Sequence, residues 1–104
     1  MPLLPALVLA TTTTLAGEIF GDVRIGEKYV AKAPIQMACG ADTVRAVTDD
    51  AGSFRLASKG SGKCVVTLTY EGKAASVDVV VFEKPARYRL ILERKDGGYV
   101  LKRV

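Results

Sequence analysis

From Gly17 to the end of the chain, apolar and polar side chains alternate one by one, and this period of two restricts the fold more than any other feature. Successive side chains of an extended strand point to opposite faces, whereas a helix repeats its apolar positions about every three to four residues. Ile35, Met37 and Cys39 share one phase. Val44, Ala46 and Thr48 share another, set against Thr43, Arg45 and Val47. Phe54 and Leu56 read as inward with Arg55 outward, and Cys64, Val66, Leu68 and Tyr70 alternate with Val65, Thr67 and Thr69. Ala75, Val77, Val79 and Val81 form a further row, and Tyr88, Leu90 and Leu92 oppose Arg87, Arg89 and Glu93. A first strand falls around Ile19 to Arg24, and Tyr99 to Val104 closes the chain. By phase, Tyr70 and Tyr88 should be buried.

Turn residues divide these runs where hairpins need them. Asp96-Gly97-Gly98 lies between two alternating stretches, and primed turns require the positive φ that glycine adopts without strain. Glu71-Gly72-Lys73 reads as a second hairpin, Lys59 to Lys63 as a flexible connection, and Pro34 and Pro85 as strand starts or edges. About seven or eight short strands with turns roughly every 8 to 12 residues imply a sandwich or barrel with no helix.

The first sixteen residues, MPLLPALVLATTTTLA, follow a different rule. They carry no charged side chain, and their apolar run from Leu3 to Ala10 is far shorter than the roughly 20 residues of a membrane helix. The run suits the apolar region of a secretory signal, and Thr14-Leu15-Ala16 places small residues before a cut at Gly17. Residues 1–16 are therefore expected to be a signal peptide, although no Lys or Arg precedes the apolar run. Residues 17–104 are expected to be the exported domain, without a transmembrane segment, in the periplasm or outside the cell. The rival reading is an unstructured or first-strand N-terminus.

Composition narrows the chemistry. The chain has no His and no Trp, and no Asn occurs in it. Without histidine, the usual general base near neutral pH and the commonest metal ligand are both missing. Neither a Ser-His or Cys-His nucleophile pair nor a His-containing zinc site can be built, and two cysteines are too few for a four-thiolate site. No enzymatic role, cofactor or metal is expected. The net charge is +4 with a pI near 9.2. Many basic residues come late, at Lys84, Arg87, Arg89, Arg94, Lys95, Lys102 and Arg103, mixed with Glu83, Glu93 and Asp96. This reads as a solvated strand face, with anion binding as the alternative. No aromatic platform or recognition motif points to nucleic acid.

Cys39 and Cys64 both fall on the apolar phase, and an even count in a small exported domain favours a disulfide between them. Two reduced core thiols in a cytosolic protein are the alternative. VTDDAGSFRL, residues 47–56, puts Asp49, Asp50 and Gly52 between two strands. A calcium loop needs oxygen ligands at alternating positions and a closing glutamate, yet no glutamate follows this stretch until Glu71. A catalytic carboxylate pair must face across a substrate, which chain neighbours seldom do. A bend explains the pattern best: Asp accepts local backbone N–H bonds and glycine takes the left-handed position.

With an apolar strand before it and GKCVVTLTYEG after it, this stretch resembles the carboxypeptidase regulatory-like domain, a transthyretin-like sandwich. The matching positions are Gly21 and Val23, then Thr48, Asp49, Gly52 and Phe54, then Gly62, Cys64, Val66 and Leu68, within about residues 17 to 94. The resemblance implies an all-β, antiparallel Greek-key β-sandwich, transthyretin-like or immunoglobulin-like. In it Thr48, Asp49, Gly52 and Phe54 would form a structural turn with an aromatic plug and no catalytic role. The chain departs from the family's better-defined members. It lacks the histidines and the C-terminal Tyr-Arg-Gly-Ser of the hydrolases of purine breakdown, the Asn of Lys–Asn isopeptide bonds, and the tryptophans of starch-binding relatives. The expected function is a non-catalytic exported module that binds an envelope or extracellular protein. A small-molecule or carbohydrate-binding domain, taking a glycan, is the alternative.

Overall fold

The computed structural model describes residues 17–104, and the expected signal peptide lies outside the described residues. Nine strands follow in order: β1 (Gly17–Ile25), β2 (Lys28–Tyr29), β3 (Pro34–Cys39), β4 (Asp42–Val47), β5 (Ser53–Ser58), β6 (Gly62–Tyr70), β7 (Lys73–Val81), β8 (Ala86–Lys95) and β9 (Gly98–Arg103). No helix occurs among the described residues. Eight of the strands coincide with the alternating runs. The ninth is β2, whose two residues are too few to show a period.

The strands form two packed sheets, a β-sandwich. One runs β4–β3–β6–β7. In the other, β1 pairs with β5 and then with β2 along one side, and with β8 and through it β9 on the other. Neighbours are antiparallel except β1 and β8, which run parallel from Ile19 beside Ala86 to Ile25 beside Leu92. A parallel pair cannot be joined by a hairpin. Here the chain from β2 to β7 makes the return.

The alternation produces the core. Ile19, Val23, Phe54, Leu56, Leu90, Leu92 and Leu101 of one sheet pack with Ile35, Met37, Val66, Leu68, Val79 and Val81 of the other, all buried. Full burial of such a side chain is worth roughly 1.5–3 kcal/mol, so this layer holds the sheets together. The β6–β7 and β8–β9 turns place Glu71 and Gly72 at φ 52° and 80°, and Asp96 and Gly97 at φ 50° and 78°. Two consecutive residues of positive φ match the right-handed twist of the strands they join.

Cys39 of β3 and Cys64 of β6 form a disulfide, with Cα atoms 4.5 Å apart. Ala38 pairs with Val65, so the cysteines occupy the next rung of the same ladder. The bridge ties two neighbours within one sheet. It closes a separation of 25 residues, worth about 3.5 kcal/mol on the chain-entropy model.

Candidate functional site

The bend between β4 and β5 is built from its own backbone. The Asp49 Oδ1 accepts from the amides of Ala51 at 2.9 Å and Ser53 at 2.8 Å. The Gly52 amide donates to the Asp49 carbonyl at 3.0 Å, and the Asp49 amide donates to the Ser53 carbonyl at 3.1 Å. One oxygen of the Asp49 carboxylate thus faces the turn. Asp50 points elsewhere, to Lys32 at 3.5 Å, with both side chains exposed.

Thr48 and Gly52 attach this bend to the rest of the fold. The buried Thr48 Oγ1 accepts from the Ala33 amide and donates to the Val30 carbonyl, each at 2.8 Å. Gly52 is buried at φ 73°, and a Cβ on it would lie 2.7 Å from the Val23 carbonyl oxygen. Its own carbonyl accepts from the Val23 amide at 2.9 Å. Phe54 is buried at the start of β5. Thr48, Asp49, Gly52 and Phe54 therefore sit together and fix the β4–β5 connection against β1 and the segment leading into β3.

The sandwich has two flanks, and they differ. On one, β7 lies beside β9 and tyrosines join the sheets. The Tyr88 hydroxyl accepts from the Val80 amide and donates to the Val80 carbonyl, both at 3.0 Å. Tyr70 and Tyr99 meet edge to face with centroids 5.3 Å apart, and the Tyr99 hydroxyl donates to Glu71 at 2.7 Å. That bond to Glu71, with some desolvation, raises the Tyr99 pKa above its ordinary value. Tyr70 and Tyr88 are half-buried. The inward phase places their rings, while the Tyr88 hydroxyl reaches the sheet edge, which phase alone does not reveal.

On the other flank, β4 is the edge of its sheet. Thr48 exchanges backbone hydrogen bonds with Lys32 and Ala33, and Asp42 pairs with Cys39 across the tight β3–β4 turn. Backbone groups alternate in direction along a strand, so Asp42, Val44 and Ala46 face β3. The amides and carbonyls of Thr43, Arg45 and Val47 face away from the sheet. The side chains of these same residues are exposed, Val47 by 61%. A groove of about 540 Å³ lies at the Val47 end of this flank, lined by Phe20, Asp22, Val47, Asp49, Arg55 and Arg87. At one end the flank is tied: the Asp42 carboxylate accepts from the Ser58 hydroxyl at 2.8 Å and the Lys59 amide at 3.0 Å.

The late basic residues fall on several elements, with Arg87, Arg89 and Lys102 sharing the outer face of one sheet. Arg87 and Arg89 lie on the outer face of β8, Lys102 pairs with Glu93 at 2.9 Å, and Arg94 stacks over Tyr99 at 5.9 Å. Lys84 lies in the β7–β8 connection. On that outer face Arg55 pairs with Glu18 and stacks over Phe20. Asp22 stands between Ser53 of β5 and Arg89 of β8, and its Oδ1 is buried without a hydrogen-bond partner among the described residues. Among the described residues, no group of three or more His, Cys, Asp or Glu side chains converges as a metal site.

No protein-family model matches the chain, and no curated protein matches it.

Proposed function

We propose that this chain is a non-catalytic exported module that binds another protein of the cell envelope or the extracellular space. The reading also takes it as a member of the carboxypeptidase regulatory-like group, with residues 1–16 as its signal peptide. One observation carries the binding reading: the β4 edge leaves the outward-facing backbone groups of Thr43, Arg45 and Val47 unpaired among the described residues, beside a groove. Strand addition to such an edge is a common way to hold an extended peptide. The disulfide favours an oxidising compartment. The glycan reading has less support, because Tyr70 and Tyr99 meet at 78° and so present no flat stacking platform together.

A photo-crosslinking side chain placed at Thr43, and separately at Ser76 on β7, tests this in the native cell. A discrete protein adduct is expected from Thr43 alone. It should disappear on Val47→Pro, which removes one outward amide from the edge. No adduct at Thr43, or equal adducts at both positions, would overturn the reading.

A further inference from the structure

The open edge also carries information about what it binds, provided the interaction reading above holds. We infer that β4 takes an extended segment with a carboxylate opposite Arg45 and apolar residues on either side of that acid.

The first argument is register. Thr43, Arg45 and Val47 form three outward bonding positions, so an added antiparallel strand that uses them all spans five residues. Its central residue lies opposite Arg45, with both side chains on the outer face of the sheet. Its two flanking residues turn the other way, opposite Val44 and Ala46, whose apolar side chains are half-buried against the core.

The second argument is charge. Arg45, like most of the Lys and Arg residues, has no acidic partner among the described residues, but it is the cation at the centre of the bonding strip. The cleft around its side chain holds Pro34, Gln36, Val47, Thr67 and Thr69, all uncharged. Arg45 is thus a lone cation on a neutral surface at the middle of the bonding strip.

The same arginine argues against a second copy of this chain. In the self-pairing register that uses all three positions, Thr43 faces Val47 and Arg45 faces Arg45 of the other copy. Like charges directly opposite each other destabilise a strand pair. A slipped register avoids the clash but loses a bonding position.

Two peptides test the proposal, acetyl-Thr-Val-Glu-Val-Thr-amide and its twin with Lys in place of Glu, with amide exchange followed residue by residue. The Glu peptide should slow exchange at Thr43, Arg45 and Val47 and bind about two- to five-fold tighter than the Lys twin. On Arg45→Glu the order should reverse. Equal protection of β4 by both peptides would overturn the acidic partner while leaving the edge reading intact. Protection by neither at millimolar concentration would overturn both. Protection that grows with protein concentration alone would overturn the peptide in favour of self-association.

Discussion

Tyr88 and Val80 satisfy each other across the sandwich: one phenol hydroxyl serves both the amide and the carbonyl of an edge residue, at 3.0 Å each. Val80 lies on β7, which has no strand partner on that side among the described residues. The phenol therefore replaces a neighbouring peptide group at that one residue. Tyr88→Phe keeps the ring but leaves both Val80 groups unbonded, which should cost about 1–2 kcal/mol. A lower urea midpoint together with faster amide exchange at Val80 is the expected result. An unchanged midpoint would show that solvent already satisfies these groups.

The bend at Asp49 and Gly52 should be sensitive for two separable reasons. Gly52→Ala forces a side chain into the left-handed region at φ 73° and against the Val23 carbonyl at 2.7 Å. The loss should exceed about 2 kcal/mol. Asp49→Ala removes an acceptor from two exposed backbone amides and should cost about 1 kcal/mol. That cost should be the same with calcium or with chelator. A loss seen only with calcium would mark a cation site instead.

Removal of the Cys39–Cys64 bridge should lower stability by about 3.5 kcal/mol on the chain-entropy model. The thermal midpoint of a Cys39→Ala, Cys64→Ala variant should match that of the wild-type chain in strong reductant. A clear difference between the two would mean that the substitutions disturb the packing beyond removing the link.

Acid should loosen the tied end of the open flank. The Lys59 amide and the Ser58 hydroxyl hold the Asp42 carboxyl below its ordinary pKa of 3.8. A depressed folded pKa means that the stabilisation is present above the unfolded value and is lost as pH falls through the folded one. Wild type should therefore exceed Asp42→Asn in stability near neutral pH, and the two should converge well below pH 3.8. Tyr99 has the opposite sign. Its raised pKa means that its bond to Glu71 contributes below the ordinary value of 10.0 and is lost as pH climbs through the raised one. Urea midpoints across pH check both; a gap between wild type and Asp42→Asn that persists in acid would contradict the first.

Much of this architecture is legible in the residues, and what escapes does so for a physical reason. Alternation tells which side of a strand is dry, so Met37, Leu56, Val66 and Leu92 could be placed inside, and Cys39 with Cys64. Glycine after an acidic residue marked the turns at Glu71 and Asp96. Alternation says nothing about which strand lies beside which, because every inward row looks alike. The parallel contact of β1 with β8 and the contrast between the two flanks follow from neighbour order, so neither could be read in advance. The Tyr88 hydroxyl was hidden for a related reason. Phase gives a ring its side of the sheet, not the reach of its polar tip. The late cations, close in sequence, are spread over an outer face, a hairpin and a connection.

The placement of the sulfur bridge decides how the molecule bears a pull. β4 hangs from β3, and β3 is joined to β6 at the rung beside that hairpin. Tension applied along the outermost strand therefore reaches a covalent anchor in the middle of the sheet after crossing a single ladder. Detachment has to begin by peeling β4 from β3, and β3 itself stays fastened for as long as the sulfurs remain joined.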